Sequence, residues 1–183
     1  MVFGLTPLGI FHTLVSLVAL YTGVWALIRY RHFSLHDRLG QVYLLTTFVT
    51  AASGLFIFQH GGFGPPHVLS ILTLLAIAAG AVTEKTQLLG HWSRYFQALC
   101  YSTTLLFHSI PGFNESLSRL PPGKPITTGP DDPKLQPIVA ALLLIWIVGL
   151  VFQLRWLRRT APIRLQPDRL PPGTADSTAA SRR

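Results

Sequence analysis

The sequence predicts an all-α integral membrane protein: a four-helix transmembrane bundle built from a two-helix parallel repeat, followed by a fifth transmembrane helix. Three observations predict it. Only 12% of the 183 residues are charged against 49% hydrophobic, with mean hydropathy +0.42, whereas soluble domains carry about 25% charged residues. Residues 1–28 and 39–83 contain no charged side chain, and a chain of this length has too small a core to hide such stretches from water. Finally, residues 12–54 align with 67–109 at an offset of 55, which sets His12 on His67 and His36 on His91.

Five segments are long enough to span a bilayer at 1.5 Å rise per residue. The first, 8–29, has no basic residue before it and no small-x-small site before Arg29, so it reads as a span rather than a cleavable signal. The second covers 38–59 and the third 67–84, with Gly61, Gly62 and Gly64 turning the chain and Pro65 and Pro66 starting the third. The fourth, 92–110, is interrupted by Gln97, Ser102, Thr103 and Thr104. Such groups need partners inside protein, so this segment is predicted to face the bundle interior. These four make a membrane bundle over 8–110. The connection 111–135, rich in Pro, Gly and Asp, reads as an external loop, either a cap or a loose linker. The fifth span, 136–156, continues to a helix end at 159, and 160–183 has too little apolar content to offset ordering entropy, so it reads as a disordered tail.

Five alternating spans divide the charges unequally. One side receives the 30–37 and 85–91 loops and the tail, with twelve of the fifteen basic residues, four of the seven acids and therefore the whole formal +8. The positive-inside rule places that side in the cytoplasm and the N-terminus outside. Topology thus accounts for the basicity without a nucleic-acid partner. Arg155, Arg158 and Arg159 anchor the fifth helix among lipid headgroups.

The repeat puts His12 and His67 at the opening of the first and third helices, and His36 and His91 at the opening of the second and fourth. Facing imidazoles across a four-helix bundle form the axial pair of a low-spin haem, so the pattern predicts His12 with His67 and His36 with His91 as iron ligands. The two levels are about 20 Å apart, which suits two haem b groups. Small residues nearby, Gly9, Ser16 and Ala19, Ser70, Ala78 and Ala79, and Gly40 after His36, leave room for a ring or for close helix packing. The alternative is interfacial histidines without a cofactor, each with its polar edge in water. His60, His67 and His108 fall on the external side, where they could bind a metal ion, reach a haem propionate or pass protons. His32 reads as solvent-facing, and Asp37 as the orienter of His36 or a plain loop acid.

No GxSxG, P-loop, CxxCH, HExxH or GxGxxG is present, and acids suited to ion coupling are missing from the span interiors. Glu84 reads as a boundary residue. Cys100 is the sole cysteine, which excludes an internal disulfide.

The stretches FHTLVSLVALYTG, HDRLGQVYLLTTFVTAASGLFIF, GPPHVLSILTLLAIAAG and GHWSRYFQALCYS resemble a bacterial group of small membrane proteins, domain of unknown function 2306, over roughly residues 10–110. That group is similar in helix number and histidine placement to two-haem transmembrane b-type cytochromes. The resemblance implies ligands at His12, His36, His67 and His91 and a bacterial inner-membrane location. Its pattern commonly has two or three arginines around the fourth histidine and a methionine beyond it, where this chain reads EKTQLLGHWSRYFQ with Arg94 alone. The external loop here is also longer than in the group. The functional expectation is a membrane b-type cytochrome passing electrons between a quinol or small reductant and a partner protein. The alternative is a non-redox membrane scaffold or assembly subunit.

Overall fold

The computed structural model describes residues 6–58, 62–129 and 131–160. The expected tail over 161–183 and His60 lie outside the described residues. Five α-helices follow one another: α1 Pro7–Tyr30, α2 Arg38–Gly54, α3 Pro65–Thr86, α4 Ser93–Leu117 and α5 Leu135–Arg159, with a turn of 3-10 helix at Gly90–Trp92 before α4. Three of them, α1, α3 and α5, are long and apolar enough to cross a membrane. The chain is a multi-pass membrane protein.

Local sequence explains the helix ends. Thr6 precedes α1 and accepts the Gly9 N–H at 3.1 Å, and Pro7 sits where a missing N–H loses nothing. Pro65 and Pro66 open α3 in the same way. Both helices stop on a left-handed residue, Arg31 (φ 62°) and Gln87 (φ 52°), whose N–H returns to Leu27 and Thr83 carbonyls. α1 and α3 thus begin and end with the same local devices.

Two boundaries differ from expectation. The second helix ends at Gly54 rather than 59, so its 17 residues reach only about 25 Å. The fourth continues through Pro111 to Leu117. Proline there removes one N–H near the helix end, where few hydrogen bonds remain to be lost. The loop that follows folds back on α4, with the Ile126 and Thr127 N–H groups meeting the Leu117 carbonyl at 2.9 and 3.2 Å. Thr127 is 1% exposed. Near its end the Asp132 carboxylate accepts the Lys134 and Thr128 N–H groups, and those backbone bonds hold its pKa below the ordinary value.

α1 packs along α2 and α3 along α4, and the two hairpins join through α2 and α3. α4 touches all four other helices, whereas α1 and α3 do not pack against each other. That central position explains why α4 is the polar one: Ser93, Ser102, Thr104 and His108 are all buried on it. α5 is a peripheral rod, tied to α4 by Ser102 Oγ donating to Gln153 Oε1 at 2.6 Å.

The core is built on two tyrosines, each lodged against a glycine. A Cβ on Gly23 would lie 2.8 Å from the Tyr43 ring, and a Cβ on Gly80 would overlap the Tyr101 ring. Tyr43 and Tyr101 are fully buried, and Phe33 stacks on Tyr43 with centroids 4.5 Å apart. Tyr43 Oη meets Thr104 Oγ1 at 2.7 Å, so the hydroxyl buried between α2 and α4 has its partner. Gly40 serves close approach too, because a Cβ there would overlap the Ser34 carbonyl. It makes a tight turn, not space for a flat ring.

Gly80→Ala is expected to lower the thermal unfolding midpoint in detergent, with an overpacking penalty of about 1–3 kcal/mol. Gly149 has nothing within 4 Å of a built Cβ, so Gly149→Ala should leave the midpoint unchanged or raise it slightly. Equal midpoints for the two variants would show that the Tyr101 ring gives way without strain.

Candidate functional site

The described polar groups gather at two ends of the bundle. At the end where α1 and α3 finish, Glu84 is the centre. Its side chain is 4% exposed and accepts from four groups: Ser34 Oγ at 2.6 Å, the Leu35 N–H at 2.9 Å, Tyr101 Oη at 2.9 Å and His36 Nδ1 at 3.0 Å. These donors come from the α1–α2 connection and from α4, while Glu84 is on the last turns of α3. Four donors, one of them an imidazole, replace the water that the carboxylate lost on burial.

The same contacts fix the histidine. Ser34 spends its single proton on Glu84, so His36 Nδ1 must be the donor of the pair and Nε2 keeps its lone pair. The ring's own exposure is high, at 81%, so Nε2 looks outward. Asp37, expected to orient His36, instead approaches His32 Nε2 at 3.4 Å. His32 is not simply solvent-facing: Nδ1 sits 2.8 Å from the Tyr30 carbonyl and the ring stacks on Trp156 at 5.6 Å. His91 is exposed on the 3-10 turn, its ring against Trp92 at 5.0 Å. Phe33, Tyr43 and Tyr101 fill the core behind His36.

At the opposite end lie His12, His67 and His108. His12 Nδ1 is 3.0 Å from Ser53 Oγ, and Ser53 already donates to the Thr50 carbonyl at 3.0 Å. Nδ1 is therefore the donor and Nε2 carries a bare lone pair. Gly54 allows this meeting, since a Cβ there would lie 2.8 Å from Ser70 Oγ and 3.3 Å from the His12 ring. His108 is 8% exposed on α4. Its ring lies beside the Ser16 carbonyl and within electrostatic reach of His12. Its Nε2 is buried without a partner.

His67 has the tautomer opposite to that of His12. Its Nδ1 accepts the Gly64 N–H at 3.2 Å, so the proton of the neutral ring is on Nε2, which is buried and unpartnered between Phe58 and Phe63 at 4.7 and 5.2 Å. An imidazole in that state is a donor and presents no lone pair to iron. His12 and His67 stand on helices that do not pack together, and no three His, Cys, Asp or Glu side chains converge as a metal cluster among the described residues. As bonded, the imidazoles at this end thus differ: Nδ1 donates in His12 and accepts in His67. His36 has the lone pair but is held at the surface by Glu84.

Glu84 is the residue that sequence reasoning missed. Its position at a span boundary resembled that of any loop acid. The signal was the run Ser34, Leu35, His36 with Tyr101, which acquires meaning only once three elements meet.

Glu84→Gln keeps the shape but turns an acceptor into an amide facing donors, and is expected to lower unfolding stability by about 3 kcal/mol. His36→Ala should lose less than about 1 kcal/mol, because that ring stands largely in water. Chemical unfolding in detergent followed by far-UV circular dichroism measures both. Two variants of equal stability would show that Glu84 does not hold the end of the bundle together.

Compared with known protein families, curated proteins and solved structures, the chain matches none.

Proposed function

We propose that this multi-pass membrane protein is a b-type cytochrome of the bacterial inner membrane, with haem b at the His12 end and electrons passing between a quinol or small reductant and a partner protein. The supporting observation is a pair of imidazoles at this end, His12 with its Nδ1 held by Ser53 and His108 with a buried, unpartnered Nε2. Those two residues would hold the iron, and the group would supply reversible one-electron chemistry. Ser53 fixes the His12 tautomer by taking the Nδ1 proton. His67, with a buried Nε2–H, is suited to donate to an acceptor such as a propionate or a quinone oxygen.

This reading keeps one haem of the expected two. His36 is committed to Glu84, and His91 is exposed on a turn, so neither supports a second site. A cofactor-free scaffold is the second reading, favoured by the Glu84 network, which is complete without any added group.

Purified protein, expressed with ample haem supply, should show oxidised and dithionite-reduced spectra of a b-type haem and a positive pyridine haemochrome assay. His12→Ala and His108→Ala should each lose most of the haem, while His36→Ala and His91→Ala retain it. Loss in His67→Ala but not in His108→Ala would return the pair to His12 and His67, and colourless wild-type protein would leave the scaffold reading.

The orientation accompanies this reading, with the N-terminus outside and the C-terminus cytoplasmic. Reporter fusions after Arg159 should be active in the cytoplasm, and fusions within 118–129 outside. The reverse pattern would mean that the basic side faces out.

A further inference from the structure

A cavity of about 270 Å³ opens at the Glu84 end, lined by apolar Phe33, Ala98 and Leu157 and by polar groups that include Arg94, His36 and Glu84. Neither Arg94 nor His36 is used by the proposed haem site. Arg94 donates one Nη2 bond to Tyr95 Oη at 2.9 Å and lies over that ring at 4.8 Å. Its remaining N–H groups have no protein partner among the described residues. Neither acid nearby is hydrogen-bonded to it: Glu84, whose carboxylate also lines the cavity, is engaged by its four donors, and Asp37 faces His32. The guanidinium fork therefore has open N–H groups for an oxyanion. His36 offers the complementary feature: with Nδ1 donating to Glu84, Nε2 of the neutral ring is an acceptor.

The depth of the cavity restricts the ligand. Leu157 belongs to the last turn of α5, next to Arg158 and Arg159, and the turn beside the cavity exposes Leu88, Leu89 and Trp92. An exposed tryptophan with leucines at a helix end, bordered by arginines, is the composition of a bilayer interface. We infer that this cavity binds the headgroup of an anionic phospholipid of the glycerol type, with the phosphodiester on Arg94 and a headgroup hydroxyl donating to His36 Nε2. A choline headgroup has no hydroxyl for His36 and would bring a cation toward Arg94. The discrimination comes from both residues together.

The test uses the full chain, delipidated in non-ionic detergent and titrated with short-chain phosphatidylglycerol, matched phosphatidylcholine and inorganic phosphate, with bound lipid counted by native mass spectrometry. Phosphatidylglycerol should bind about tenfold more tightly than phosphatidylcholine, a difference of about 1.4 kcal/mol. Arg94→Gln should remove that preference. Leu157→Trp, which fills the apolar lining and leaves every charge in place, should weaken phosphatidylglycerol by a similar factor, with circular dichroism confirming that both variants are folded. Equal binding of the two lipids, or a preference that survives both substitutions, overturns the proposal. Inorganic phosphate binding as tightly as phosphatidylglycerol overturns the lipid assignment in favour of a soluble anion.

Discussion

A single buried carboxylate closes one end of this bundle. Glu84 projects from α3 into the packed end of the bundle, its side chain 4% exposed, and an ionised group there is tolerable only with a full set of donors. Supplying them forces the α1–α2 connection to present Ser34, the Leu35 amide and His36 in one small arc, and α4 to present Tyr101. Much of the core follows. Tyr101 can reach Glu84 because Gly80, one helical turn earlier on α3, leaves room for the ring. Phe33, one residue before Ser34, is thereby carried onto Tyr43. The tight arc itself depends on Gly40, whose missing side chain admits the Ser34 carbonyl.

The two ends of the molecule use histidine differently, and tautomers make the difference. At the Glu84 end the carboxylate takes the Nδ1 proton and the free nitrogen of His36 faces outward. At the other end the Ser53 hydroxyl takes the Nδ1 proton of His12, and Nε2 of His108 is buried without a partner. His67 is reversed relative to His12, since a backbone N–H occupies its Nδ1. Ring nitrogens that look equivalent in a repeat are therefore unequal as ligands, because what each neighbour donates or accepts decides where the proton sits.

The alignment at offset 55 was legible because histidines are rare and leucines frequent. It did not reveal the glycine and tyrosine pairs, Gly23 with Tyr43 and Gly80 with Tyr101, since their offsets are not 55 and a glycine in a membrane helix is unremarkable. The polar character of the fourth helix was also legible. Its cause, contact with every other helix, was not.

By itself the sequence determined the membrane class, the approximate helix positions, the charge asymmetry and the polar helix. Each of these depends on local composition: apolar length against bilayer thickness, and arginine placement against headgroup charge. Tertiary structure alone decided which polar groups meet. Glu84 and Ser34 are 50 residues apart, and His12 and Ser53 are 41 apart, so their pairing depends on how each helix is rotated about its axis. That rotation is set by close packing of side chains from several helices at once, a many-body constraint that a hydrophobic pattern along one chain does not encode.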